Sequence, residues 1–314
     1  MRLCHEGQGL RVFAAVTDAA RTASIVVEIP EQLTPRRLTM VSGRRLSVIA
    51  GGVAGLPAGR VAIVLRLRDA EFEDLFAQLG TDLLAGIQRS TSAGAAVQSI
   101  TRLIERWRRF LDQRHSMLAA EEVRGLIGEL CVLDRSVDRL GPAAALAAWK
   151  SPQGSIRDFE FTDRTIEVKT ILAAVGGSVR INEPMQLQPE PSVPLFLVCQ
   201  ELGRSDTPQS ALPGHIARVA SRFAHEMKLA EDFEDALAAS GYLPAHAETY
   251  TDGFTLGPLH AFLVGPGFPR IHPDAVPPGV LRVQFSLEVL QLSRFGTDPD
   301  LAVGPVPSPS TQLP

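Results

Sequence analysis

Asp158, Glu167 and Lys169 are the residues whose types and spacing could carry chemistry. They lie in the run Asp158-Phe159-Glu160-Phe161-Thr162-Asp163-Arg164-Thr165-Ile166-Glu167-Val168-Lys169, which reads as two short strands joined by a polar turn. Side chains alternate across a strand, so Asp158 and Glu160 share one face of the first strand, and Glu167 and Lys169 one face of the second. Phe159, Phe161, Ile166 and Val168 take the opposite face, toward a core. Carboxylates and one ammonium gathered at a sheet edge are costly to desolvate unless a divalent cation binds there. The lysine sharpens the point. Among 31 Lys+Arg, only Lys150, Lys169 and Lys228 are lysines. A lysine kept beside carboxylates suits a task that arginine does badly. Its ammonium is compact and its pKa can be lowered, whereas a guanidinium stays charged.

The hydrophobic pattern outlines a framework for these residues. Leu10 to Val16, Ala23 to Ile29, Arg45 to Ile49 and Val61 to Arg68 are short apolar or alternating runs, so the first part of the chain is β-rich. Ala70 to Ile87 and Ala96 to Phe110 have helical spacing, the latter carrying Arg102, Arg106, Arg108 and Arg109. A third helix is expected over Ala119 to Leu140. Its apolar stripe is Val123, Leu126, Ile127, Leu130, Leu133, Val137 and Leu140, and Gly141-Pro142 stops it. Glu129 falls on the border of that stripe and points along the core surface, with Glu122 two turns earlier on the same border. Beyond the acidic hairpin, Val179 to Ile181 reads as a strand and Met185-Gln186-Leu187 as a short helix or turn. Leu195 to Gln200 is a buried central strand and Gly203 to Ser210 a loop. Ile216 to Ser240 reads as helix, and His260 to Val264 and Val280 to Leu290 as strands.

The chain has 314 residues, enough for one large domain or two to three small ones. A 45% hydrophobic content supplies a core, and a net charge of −4 gives no global basic signature. A nucleic-acid partner would have to be held by a local patch. Cys4, Cys131 and Cys199 are widely spaced and form no CxxC pair, so they read as reduced core residues of a cytoplasmic protein. No apolar run approaches the ~18 residues of a membrane span, and the amino terminus has no signal-peptide core.

The order of parts resembles the PD-(D/E)xK nuclease superfamily. The resemblance rests on Gly128-Glu129-Leu130 in a helix, Asp158-Phe159 opening a hairpin, Glu167-Val168-Lys169, and Gln186-Leu187 before a core strand. More closely, it is similar to an uncharacterised bacterial family of PD-(D/E)xK type, known by a domain-of-unknown-function label. Here that similarity is carried by the Gly125 to Leu130 helix motif, Trp149 before the hairpin, and Phe268 to Ile271. It spans about Ala96 to Leu290; the amino-terminal part matches in general character alone.

The resemblance implies an α/β (α+β) fold class, with a restriction-endonuclease-like core of a mixed β-sheet and helices on both sides. The domains expected are a β-rich region plus helix (1–95), the nuclease core (96–202) and an α/β extension (203–294). Residues 295–314, rich in Pro, Ser and Gly, are expected to be a disordered tail. Asp158 and Glu167 would ligate Mg²⁺ (Mn²⁺ substituting), helped by the Val168 carbonyl and by Glu129. Lys169 would position or help deprotonate a water, and Gln186 would hold the lysine, the water or a phosphate oxygen. The implied activity is a Mg²⁺-dependent DNA endonuclease in a bacterial restriction or phage-defence system. DNA, other defence subunits and a homodimer partner are the partners implied, with no membrane. One departure is Arg157, where the pattern carries proline.

The same residues have plainer readings. Glu167 and Lys169 alone would make a surface ion pair contributing about 0–1 kcal/mol. Glu129 alone would be a helix-surface acid, and Gln186 is unremarkable near a helix start. Glu160 is a hairpin-surface residue or a spare ligand. Arg102 to Arg109 is a solvated face or a phosphate-binding stripe. Glu226-Met227-Lys228 repeats the Glu-x-Lys triplet in a helical segment with no acidic hairpin, and reads as a solvated face. The alternative function is a catalytically silent or partner-dependent DNA-binding or assembly subunit that retains the fold; an RNA-directed nuclease is a weaker rival. The seven histidines form no HExxH or HxH, no Cys/His set has zinc spacing, and no phosphate-binding Gly loop or GxSxG elbow is present.

Overall fold

The short apolar blocks at the start of the chain, bounded by Gly, Pro and charged residues, form a sheet. In the computed structural model residues 1–17, 22–35, 40–42, 45–53, 55–113, 117–173 and 177–304 are described, and the chain divides into two units, 1–116 and 117–314. In the first unit β1 (Arg2–Gly7), β2 (Leu10–Thr17), β3 (Thr22–Pro30), β4 (Met40–Ser42), β5 (Leu46–Gly51) and β6 (Arg60–Leu67) pair antiparallel in the order β1-β2-β3-β6-β5-β4. Central strands β3 and β6 are buried along most of their length, as their continuous apolar runs require. Glu28 is buried in β3, where Arg60 Nε donates to it at 2.8 Å. Helix α1 (Glu73–Arg89) buries Phe76, Leu79, Leu83 and Ile87, and helix α2 (Ala93–Gln113) packs on it, Trp107 Nε1 donating to Asp82 at 3.2 Å.

The second unit is built on a mixed sheet. Its elements are α3 (Ala120–Leu140), α4 (Pro142–Ala148), β7 (Phe159–Glu160), β8 (Thr165–Leu172), β9 (Ser178–Ile181), β10 (Leu195–Ser205), α5 (Leu212–Ala220), α6 (Met227–Ala239), β11 (Gly253–Val264), β12 (Phe285–Glu288), β13 (Gly296–Thr297) and α7 (Pro299–Val303). The strand order is β13-β11-β10-β8-β7, with β8 and β10 parallel and the other pairs antiparallel. The fold class is therefore the α+β mixed sheet expected.

The two faces of that sheet are covered differently. Ile166, Val168, Phe196 and Val198 pack with the apolar stripes of α3, α5 and α6. Leu195, Leu197, Cys199, Phe262 and Val264 pack instead against the β9–β12 ribbon, Leu187 and Phe268. Helices thus gather on one face, where the resemblance led us to expect them on both.

Other expectations change for physical reasons. The boundaries at 95, 202 and 294 do not follow the packing. Helix α2 is held by α1, and β11 completes the sheet that β10 begins. Strand β10 runs on to Ser205 because β11 pairs with it that far, and at Gly203 any Cβ would sit 2.8 Å from Thr255 Oγ1. The helix expected from 216 to 240 is broken at 221–226, where Phe223 is buried with its ring tilted against that of Phe233, 5.0 Å away. Residues 280–284 form no strand; only Phe285–Glu288 pairs, with β9. The tail is ordered through 304: Gly296 pairs with Phe262, and Ala302 and Val303 are buried. Residues 305–314 lie outside the described residues, as do the side chains of Arg108 and Arg109. Cys4 is an exposed thiol on β1, not a core residue, whereas Cys131 and Cys199 are buried. Among the described residues no helix is long and apolar enough to cross a membrane.

Gly128 sets how closely α3 meets the sheet. A Cβ there would lie 2.6 Å from the Thr170 methyl and 3.4 Å from Val168 Cγ1. Gly128→Ala should therefore destabilise the protein by about 1–3 kcal/mol, as overpacking does. Thr170→Ser, which removes the opposing methyl, should recover most of that loss in thermal unfolding. Equal stability of wild type and Gly128→Ala would contradict this account of the packing.

Candidate active site

Strand β7 is only two residues long, so β8 runs past its end. There Asp158 takes over the pairing: its Oδ2 accepts the Val168 N–H at 2.7 Å. Its own backbone carbonyl accepts from Lys150 N at 2.8 Å and Ser151 N at 3.1 Å, tying the strand entry to the end of α4. Alternation in β8 then puts Ile166 and Val168 toward the helices, and Glu167 and Lys169 toward the ribbon face.

Glu167 is fully buried, at 0% exposure. Its Oε1 accepts from Lys169 Nζ at 2.6 Å and from Gln186 Nε2 at 2.7 Å. Its Oε2 is buried and has no hydrogen-bond partner. The Gln186 amide has a defined orientation, because the Asn182 N–H donates to its Oε1 at 2.8 Å and leaves Nε2 for Glu167. Lys169 is partly exposed, its side chain 15% accessible. The plain surface-ion-pair reading of Glu167 and Lys169 does not describe a pair with one member wholly buried.

Glu129 reaches the same place from α3. Its Oε2 accepts from Trp149 Nε1 at 2.7 Å and its Oε1 from Ser151 Oγ at 3.2 Å. Trp149 stood out in the sequence only as a landmark, and Ser151 only as loop. Neither residue type signals a carboxylate partner 20 or 22 positions away. Glu122 serves elsewhere, accepting the Ala119 N–H at 2.8 Å at the start of α3. Glu160 is exposed and bonded to Ser155 Oγ, outside the cluster, and Asp163 pairs with Arg164. Lys228 of the second Glu-x-Lys triplet is 70% exposed and pairs with Asp232 on α6, a solvated face as expected. The structure thus brings together Asp158, Glu167, Val168, Lys169, Gln186 and Glu129.

Burial and mutual repulsion dominate the electrostatics. Burial first, then the Asp158 charge, pushes Glu167 up to about 8; Lys169 and Arg157 oppose this. Burial, then Asp158, likewise pushes Glu129 up to about 8 against the Trp149 and Ser151 hydrogen bonds. Burial raises Asp158 too, opposed by Lys169 and the Val168 N–H. Burial alone would lower Lys169, but Glu167 and Asp158 outweigh it and hold the ammonium above its ordinary value. Even with the Lys169 ammonium and the Arg157 guanidinium acting on the cluster, all three carboxyls stay above their ordinary values, so further positive charge would suit it.

The donor set suits a hard cation. All candidate ligands are oxygens, and the orphaned Oε2 of Glu167 is a buried lone-pair donor with nothing to bind. Among the described residues no three His, Cys, Asp or Glu side chains converge to hold an ion unaided. Mg²⁺ needs no such cage: it keeps several waters and binds through one or two carboxylates. Asp158, Glu167 and the Val168 carbonyl fit that demand.

Residues 2–290 match the model of a family described as "Putative PD-(D/E)XK family member, (DUF4420)". Neither a search of curated proteins nor one of solved structures finds a match.

The raised carboxylates make a pH prediction. A carboxyl whose folded pKa is about 8 stabilises the fold fully below its unfolded value near 4.5 and loses that contribution as pH rises toward 8. Without divalent ions, thermal stability should fall from pH 7 to pH 8.5, a window above the ordinary histidine range. Glu167→Gln should flatten that slope, and Mg²⁺ should raise the melting temperature more at pH 8 than at pH 7. A metal-free slope unchanged in Glu167→Gln would refute the assignment.

Proposed function

The chain belongs to the DUF4420 family of putative PD-(D/E)XK members, and on that premise we propose that it is a Mg²⁺-dependent DNA endonuclease. The observation that carries this reading is the buried Glu167 with one carboxylate oxygen unpaired, flanked by Asp158 and Lys169. Lys169 answers only Oε1, and burying Oε2 with neither a donor nor a cation beside it is costly. Asp158, Glu167 and the Val168 carbonyl would hold the cation, and Glu129, fixed by Trp149 and Ser151, would complete or orient its shell. When bound, Mg²⁺ would polarise a phosphoryl oxygen and favour ionisation of water.

The protein's own groups do the rest. Lys169, held at Glu167 Oε1 and partly open to solvent, orients the attacking water and offsets the charge developing on phosphorus. Gln186 donates to the same Glu167 oxygen as Lys169 and so helps to hold that carboxylate in its rotamer. The oriented water attacks phosphorus and releases a proton to solvent, the P–O bond to the leaving sugar oxygen breaks, and that oxygen takes up a proton from solvent. Manganese would substitute for magnesium. A bacterial restriction or phage-defence setting, in the cytoplasm and with further subunits or a second copy of the chain, follows from the resemblance.

One observation favours a second reading. The net charge of −4 is low for a protein that binds DNA unaided. A subunit that needs a basic partner to engage DNA would keep the same site. The deciding experiment is cleavage of plasmid and phage DNA with Mg²⁺ or Mn²⁺. Wild type should cut, EDTA should stop it, and Lys169→Ala and Glu167→Ala should each lower the rate about 10²–10⁴-fold. Equal cutting by all three proteins would reject this site. No cutting by any, with metal stabilisation lost in Asp158→Ala, would select the partner-dependent subunit.

A further inference from the structure

The 3₁₀ turn Pro184–Leu187, which carries Gln186, is held from two directions by arginines. Arg157 donates through Nη1 to Met185 O at 2.6 Å and through Nη2 to Gln188 O. Arg270 donates through Nη1 to Leu187 O at 3.2 Å and to Gln188 Oε1. Three backbone carbonyls on either side of Gln186 are therefore occupied by guanidinium donors. Each arginine is itself anchored in the site's framework. Arg157 immediately precedes Asp158, whose carboxylate is fixed on the Val168 N–H. Arg270 lies two residues after Phe268, which is buried in the core of the ribbon face with its ring tilted against that of Phe295, 5.0 Å away.

We propose that Arg157 and Arg270 form a clamp that positions Gln186 on Glu167 Oε1 and so keeps Glu167 Oε2 presented to the cation; this rests on the reading of the cluster as a metal site. Both are positioning residues, since neither touches the cation or the reacting atoms. The geometry at position 157 needs arginine. At Arg157 a planar fork reaches two carbonyls at once through two nitrogens, whereas a lysine in its place supplies the same charge as a single point. Arg157 stands where the resemblance leads one to expect proline. A proline would shape only the entry of the chain; the arginine also joins the Asp158 segment to the Gln186 turn, 28 and 31 residues onward. Loss of the clamp lets Gln186 leave Glu167. The carboxylate then turns more freely, and the cation is bound more weakly.

Mn²⁺ affinity of the full chain, read by electron paramagnetic resonance, tests this without relying on cleavage. Arg157→Ala and Gln186→Ala should each weaken binding about 10–100-fold, the usual effect of removing a group that orients a ligand. Arg157→Lys should not restore it. The double variant Arg157→Ala/Gln186→Ala should bind no more weakly than Gln186→Ala alone, because both act through one contact. Should Arg157→Ala not fold, Arg270→Ala supports the same cycle from the other side of the turn. Wild-type affinity in Arg157→Lys would mean that charge alone matters and would overturn the clamp. So would losses that add in the double variant. Wild-type binding with unchanged affinity in Arg157→Ala and Arg270→Ala overturns the clamp and leaves the metal reading standing. No Mn²⁺ binding by wild type overturns the metal reading and the clamp with it.

Discussion

Glu167 is withdrawn from water with one oxygen gripped by Lys169 and Gln186 and the other left without a partner. Such a group is stable as an ion only if a positive charge faces it, and otherwise it takes up a proton. Asp158 sharpens the conflict, since its charge raises both Glu167 and Glu129 on top of their burial. Much of the second unit can be understood as the means of keeping this arrangement in place: the short β7, the glycine in α3, the Trp149–Glu129 bond and the braced turn.

The sheet does two jobs with one strand. Alternation in β8 sends Ile166 and Val168 into the helix-covered core and Glu167 and Lys169 into the opposite face. The parallel partner β10 sets Leu197 and Cys199 beside the two charged residues. Those apolar neighbours exclude water and raise the carboxyl pKa. Cys199 registers the same environment, since burial pushes its thiol up to about 12. On the other side, α3 approaches so closely at Gly128 that the adjacent Glu129 reaches the cluster.

The second Glu-x-Lys triplet, Glu226-Met227-Lys228, makes the comparison within one chain. On α6 the lysine lies in solvent, pairing with Asp232 along the helix. Only the strand context, with an acidic segment paired alongside, turns the triplet into a buried cluster. That context was legible in the sequence as the alternation of Phe, Ile and Val with charged residues. The apolar stripe of α3 and the placing of Glu129 on its border were legible for the same reason, as both are local and periodic.

What lay beyond reach of the sequence was whatever depended on distant pairing. The length of β10 and β11, the order in residues 296–304 and the break between α5 and α6 arise from partners far along the chain. The same holds at the site. By itself the sequence determined which residue types share a strand face or a helix border, because side-chain direction follows from backbone periodicity. Only the tertiary structure decided that Trp149 and Ser151 hold Glu129, that Gln186 shares an oxygen with Lys169, and that Arg157 and Arg270 meet on one turn. Apart from the Lys169–Glu167 pair, those bonds join residues from 19 to 83 positions apart, and no local pattern encodes them, because their geometry exists only once the sheet has closed around its core.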